Sequence, residues 1–176
     1  ILEDGTIHID ESITYYFSSS ANGLTRDLRY FYKTNKDSME PNSARYQATG
    51  IENITVAVTN PANITTNFTK ASNAEKGDNG VYTVDAVNAD RTDGYDIMVY
   101  SPISSNNFQT VHYSYDITDA VVQYNDMSEI YYNFIGNGIE TDVDEFNLDI
   151  YLPKSINMDD VKYYPHTYAT KLEDIQ

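Results

Sequence analysis

Positions 7, 9, 13, 15 and 17 are Ile, Ile, Ile, Tyr and Phe, and the residues between them are mostly polar: His8, Asp10, Ser12, Thr14 and Tyr16. An apolar residue at every second place over eleven residues is the period of a strand with one buried face. It does not suit a helix, whose apolar positions recur every three or four residues. One residue breaks the row: Glu11 stands between Ile9 and Ile13, on the side that should face the core.

The same period returns along the chain. Residues 24–32 put Leu24, Arg26, Leu28, Tyr30 and Tyr32 on one face, and residues 51–59 put Ile54, Val56 and Val58 on one face. Further strands are predicted over 64–69, 81–87, 95–100, 111–117, 129–135 and 146–152. Asn60-Pro61, Pro102, Gly136-Asn137-Gly138 and Pro153 end four of these runs, because proline cannot donate to a ladder and glycine favours turns. Residues 119–128 could hold one helical turn with Asp119 as its cap. Seventeen tyrosines, with many Thr, Val and Ile, fit a pleated, half-buried surface. Eight or nine short strands between turn signals predict an all-β fold, an antiparallel β-sandwich that is immunoglobulin-like in general architecture. Residues 1–153 are expected to form it, and residues 154–176 to be a final strand or a tether.

The 176 residues carry 27 acids against 11 bases, a net charge of −16. Nucleic acid and anionic lipid both attract basic proteins, so neither is an expected partner. The absence of Cys excludes disulfides, Cys-ligated zinc and iron–sulfur clusters, and three His leave little for a His-rich metal centre. No apolar run approaches the roughly 20 residues that span a bilayer. No cofactor is expected.

Two blocks carry a family likeness. The first is Asp4-Gly5-Thr6-Ile7-His8-Ile9-Asp10-Glu11-Ser12-Ile13-Thr14-Tyr15-Tyr16-Phe17, followed by Gly23-Leu24-Thr25-Arg26. The second is Glu129-Ile130-Tyr131-Tyr132-Asn133-Phe134-Ile135-Gly136, with a closing run Leu148-Asp149-Ile150-Tyr151-Leu152-Pro153. Together these resemble the extracytoplasmic N-terminal domain of the predicted membrane proteins of the "domain of unknown function 2207" family. The resemblance covers the two ends of positions 4–153, while residues 33–87 match no motif. Tyr132 stands where that family usually has Trp. The resemblance implies a β domain outside the cytoplasm, anchored at the plasma membrane through segments absent from this chain. It brings no catalytic residues.

Glu11 and Arg26 both occupy apolar faces and both match family positions. A buried carboxylate needs a partner and arginine offers a bidentate one. An ion pair between them that pins the register of the first two strands is expected, unless a bulge after Ile9 turns Glu11 outward. Asn53-Ile-Thr55, Asn63-Ile-Thr65 and Asn67-Phe-Thr69 are glycosylation sequons, used only if the chain meets an oligosaccharyltransferase outside the cytoplasm. No metal centre is expected. Asp90, Asp93, Asp142 and Asp144 are the residues a weakly held calcium ion would use, although none follows the EF-hand spacing and solvated turns account for all four. Tyr30-Phe31-Tyr32 and Tyr131-Tyr132 put rings on both faces of their strands, so Tyr30, Tyr32, Tyr131 and Tyr132 are candidate contacts for a partner.

No nucleophile elbow, phosphate loop or His-Glu-x-x-His occurs. The expected function is therefore non-catalytic: an extracytoplasmic module that binds or senses an unknown protein or glycan outside the cell. The alternative is a cell-surface adhesin or wall-glycan-binding domain, with calcium as an aid to binding. A glycosidase-like enzyme ranks last.

Overall fold

The computed structural model describes residues 1–32, 48–89, 92–136 and 142–163. The eleven-residue alternation becomes strand β1 (Ile7–Phe17) over its whole length. It is followed by β2 (Ala21–Tyr32), β3 (Gly50–Thr59), β4 (Thr65–Asn67), β5 (Thr69–Lys70), β6 (Val81–Ala89), β7 (Thr92–Ile103), β8 (Asn107–Thr118), β9 (Val121–Gln123) and β10 (Ser128–Ile130). The fold is all-β, with ten strands among the described residues where eight or nine were expected.

Two four-stranded sheets make an open sandwich. The first has the order β1-β8-β3-β4 and the second β2-β7-β6-β5, with β9 and β10 as a separate ribbon. The pairings are antiparallel except for β5 with β6. β1 runs against β8 without a shift, from Ile7 opposite Ile117 to Phe17 opposite Asn107. The strictest alternation of buried and half-buried residues belongs to β8, a central strand of the first sheet.

The core lies between the sheets. Val111, Tyr113, Tyr115 and Ile117 of β8 meet Ile97 and Val99 of β7 and Leu28 of β2, all fully buried. The Tyr82 hydroxyl of β6 donates to the Ile54 carbonyl of β3 at 2.8 Å, a polar tie across the same interface. β1 and β2 are edge strands, one in each sheet. This corrects the expectation that they share a ladder: they face each other across the sandwich, so a contact between them sets sheet against sheet.

Four local expectations also change. β7 continues through Pro102 to Ile103. There it has outrun β6, whose pairing stops at Tyr100, and it passes a register shift in β2 between Ala21 and Gly23, so no ladder bond is asked of the proline. Asp119 takes a positive φ of 52° and leads into β9, not into a helical turn. The strand expected at 129–135 is only the three-residue β10, and residues 131–136 leave the ladder. Residues 146–152 are not a strand, although they alternate: Phe146, Leu148 and Ile150 stay exposed. Alternation reports a preference for pleated backbone, but a strand forms only where a neighbour supplies donors and acceptors. The described part of the tail, 154–163, holds a single 3-10 turn at Met158–Asp160 and no strand.

Gly23 shows how tightly the second sheet is drawn. A Cβ built there would sit 2.1 Å from the Val99 carbonyl oxygen of the neighbouring strand. Backbone of a paired strand cannot yield as a side chain can, so Gly23→Ala should cost about 2 kcal/mol or more through ladder distortion. Urea unfolding of this variant, compared with the same change at Gly50, where a Cβ would only touch Thr118 Oγ1 at 3.5 Å, checks the expectation.

Candidate functional site

Glu11 and Arg26 come together between the sheets. Arg26 Nε donates to Glu11 Oε1 and Nη2 to Glu11 Oε2, both at 2.9 Å, a two-pronged pair. The arginine side chain is 3% exposed and the glutamate 16%. A guanidinium so deep must place its remaining N–H groups. Nη1 donates to the Ile135 carbonyl at 2.8 Å and Nη2 to the Phe134 carbonyl at 3.0 Å. Burial alone would lower the arginine's pKa, but the hydrogen bonds and charge of Glu11 outweigh it and raise it. The group is a permanent cation.

Residues 131–136 thus form a strap over the pair. Ile130 and Tyr132 pack on the core behind it, and the Tyr132 ring meets Phe134 edge-on at 5.1 Å. The strap ends at Gly136, with φ +86° and an added Cβ only 2.6 Å from Arg26 Nη1. A side chain here would strike the pinned guanidinium, which is the physical use of the glycine. Tyr113 and Tyr115 of β8 sit fully buried beside the pair, and burial pushes both phenols far up. Tyr15 is raised for the same reason, with Arg26 pulling the other way. The centre is an ion pair flanked by buried phenols that stay protonated near neutral pH.

The outer face of the first sheet is different in kind. Its side chains bond to one another across the strands. Thr14 and Thr110 hydroxyls are 2.8 Å apart, and Thr59 and Thr65 hydroxyls 2.7 Å. Ser12 Oγ lies 2.7 Å from His112 Nδ1, and Thr59 Oγ1 lies 2.8 Å from His112 Nε2. His112 is thus held at both ring nitrogens by hydroxyls, where a Ser-His-Asp arrangement has a carboxylate on the second one. At one end, His8 Nδ1 meets Asp116 Oδ1 at 2.6 Å, and Asn53 Nδ2 donates to Asp116 Oδ2 at 2.6 Å. At the other end Tyr16 and Phe108, both more than half exposed, place their ring centroids 4.9 Å apart.

The family model described as "Predicted membrane protein (DUF2207) N-terminal domain" matches residues 1–175. This chain belongs to that family. The match runs through residues 33–87, where no motif was read, and on into the tail. No curated protein and no solved structure matches the chain. In this member of the family, Gly23, Arg26, Glu11 and Gly136 are one mechanical unit: the first glycine lets β2 lie close to β7, the ion pair spans the sheets, and the second glycine admits the strap.

The remaining expected residues scatter. Asn53, Asn63 and Asn67 are exposed. Asn53 sits in the register shift of β3 with φ +54°, its amide engaged by Asp116, and Asn63 takes φ +61° in the β3–β4 turn. Of the candidate contact rings, Tyr131 is 38% exposed, whereas Tyr30 and Tyr132 are packed against the core, because β2 and the strap turn these rings inward. The Tyr32 side chain and Asp90 lie outside the described residues. Asp93 belongs to β7 opposite Asn88, and Asp142 and Asp144 are exposed; no group of three acidic or His side chains that could hold a metal occurs among the described residues. The carbonyls of Phe134 and Ile135 could not have been named from sequence, since backbone acceptors leave no residue signature.

Removing one partner of the central pair strands the other charge. Glu11→Leu or Arg26→Met alone should each cost about 3 kcal/mol, and the double change clearly less than the sum. Denaturant midpoints of the three variants read this directly.

The His8 cluster sets a pH dependence. The hydrogen bond to Asp116 raises the His8 pKa above 6.5, and the bonds from Asn53 and then His8 lower the Asp116 pKa below 3.8. The histidine's contribution is complete below pH 6.5 and is lost as pH rises through its raised folded value; the aspartate's is complete above pH 3.8 and is lost as pH falls through its lowered one. Stability from this cluster should peak between those limits. Urea midpoints of His8→Gln should lose the decline of the parent chain above pH 6.5.

Proposed function

We propose that this domain is a non-catalytic binding or sensing module, held outside the cytoplasm at the cell surface by membrane segments of the full-length protein. The observation that carries the binding reading is the outer face of the first sheet. Its hydroxyls and imidazole are already tied to one another, so a partner meets side chains whose freedom is spent. The exposed Tyr16–Phe108 pair adds the aromatic area that interfaces use as anchors. Membership of a family of predicted membrane proteins supports the tether. The net charge of −16 keeps such a surface soluble and repels nucleic acid.

We read the architecture as immunoglobulin-like in general plan. Two four-stranded sheets around one core support this, as does the chain crossing between them from β1 to β2 and from β7 to β8. The second functional reading, an adhesin or wall-glycan-binding domain, is favoured by the row of hydroxyls beside exposed rings, an arrangement suited to sugars. Exposed Asp142 and Asp144 would be open to calcium there.

Location is tested by expressing the full-length gene in its own host and treating intact cells with protease. Release of fragments recognised by antiserum to the 176-residue chain is the expected result. A domain that stays intact until the cells are lysed would overturn the surface reading.

A further inference from the structure

The three sequons follow one another along a single stretch of chain, from β3 through β4 to β5: Asn53-Ile54-Thr55, Asn63-Ile64-Thr65 and Asn67-Phe68-Thr69. In sequence they are equivalent, each with an apolar middle residue and a threonine two places on. Asn and Thr are common in this chain, so the motif alone selects none of them. The fold makes them different. A transferase has to take hold of the acceptor asparagine, the middle residue and the threonine together, so all three must be free to leave the protein surface.

Two of the three are built into the sandwich. Ile54 packs on the core, and its carbonyl accepts the Tyr82 hydroxyl at 2.8 Å, the polar tie between the sheets. Asn53 itself donates through Nδ2 to Asp116 Oδ2 at 2.6 Å. Phe68 also packs on the core, where the chain passes from one sheet to the other. Its amide donates to the Val56 carbonyl of β3 at 2.8 Å, and the Thr69 amide donates to the Gly80 carbonyl beside β6 at 3.0 Å. Lifting either tripeptide away would break the contact between the sheets.

The middle sequon is built otherwise. Residues 60–64 turn the chain from β3 into β4, at the end of the sandwich away from the strap, and all five are exposed. Ile64, the middle residue of the motif, is 58% exposed. The turn holds its own shape. The Asn63 amide donates to the Asn60 carbonyl at 2.9 Å, and the Asn60 side-chain carbonyl accepts from the amides of Ala62 and Ile64. Asn63 takes φ +61°, a left-handed conformation that asparagine tolerates. The Thr65 hydroxyl meets the Thr59 hydroxyl at 2.7 Å, a contact made on the surface. Pro61 and Ile64 form part of the wall of a cleft of about 380 Å³, but Asn63 does not line it.

We propose that Asn63 is an N-glycosylation site and that the fold withholds Asn53 and Asn67 from the same modification. The Asn63 amide nitrogen attacks the anomeric carbon of an oligosaccharide carried on a lipid phosphate. The nitrogen–carbon bond forms and the bond from that carbon to the phosphate oxygen breaks. The lipid phosphate leaves with the electron pair, and the amide proton passes to a base of the transferase. A donor of this class is used outside the cytoplasm, so the proposal rests on the extracytoplasmic reading above. It adds to that reading a modification and a single acceptor residue.

The test is mass spectrometry on the full-length protein taken from its own host. Trypsin cuts after Arg45 and Lys70 and nowhere between, so one peptide, 46–70, carries all three sequons. Electron-transfer fragmentation of that peptide locates added sugar. Asn63 should carry it, with occupancy at Asn53 and Asn67 at least about tenfold lower, because freeing a packed middle residue costs an opening of the core that the hairpin tip does not need. Asn63→Gln and Thr65→Val should each remove the added mass. Thr65→Ser keeps the motif and should keep the sugar, and Asn67→Gln should leave the added mass unchanged. Bare Asn63 in a protein that protease releases from intact cells would overturn the proposal and leave the surface location standing. Bare Asn63 in a protein that protease cannot reach would overturn both. Equal occupancy of the three sequons would mean that sugar is added before folding, and would overturn selection by the fold.

Discussion

A guanidinium buried between two sheets is the constraint to which much of this structure answers. Arg26 is nearly removed from water and cannot lose its proton, so its N–H groups must all be supplied from within. Glu11 accepts from two of the five N–H groups and the carbonyls of Phe134 and Ile135 from two more. The glutamate comes from the edge of one sheet, the arginine from the edge of the other, and the carbonyls from a segment more than a hundred residues further on. Once that set is made, the sheets are located against each other and the open side of the sandwich is closed. An apolar contact at the same place would tolerate sliding; a forked pair with fixed directions does not.

The two surfaces that remain for function differ because their chemistry differs. The outer face of the first sheet is a lattice of hydroxyls, an imidazole and short ionic contacts, open to water. The cleft at the opposite end from the strap is lined by uncharged residues, the buried Gln109 among them. The Arg26 guanidinium stays charged and the buried phenols of Tyr113 and Tyr115 stay neutral, and together they hold the scaffold that presents both surfaces.

Much of this was legible in the order of residues. The alternation of β1 marked its bounds to the residue, and Glu11 and Arg26 could be singled out because each breaks an apolar row. Local pattern failed where a strand depends on its neighbour. Residues 146–152 alternate as cleanly as β1, yet they lie unladdered with exposed apolar side chains, and Pro102 sits inside β7 because the neighbouring strands ask nothing of its nitrogen. The polar partners of Arg26 on the strap were invisible because they are main-chain carbonyls.

By itself, then, the sequence determined the all-β class, the positions of the long strands, the acidic character and the presence of one charged pair in an apolar setting. These follow from side-chain period, composition and the cost of burying charge, which are properties of neighbours along the chain. Tertiary structure decided that β1 and β2 belong to different sheets, so that their ion pair joins layers instead of fixing a ladder. It also decided which tyrosines turn inward and where a neutral cleft opens. Those outcomes depend on which distant segments supply hydrogen-bond partners and cover, and no local pattern encodes that choice.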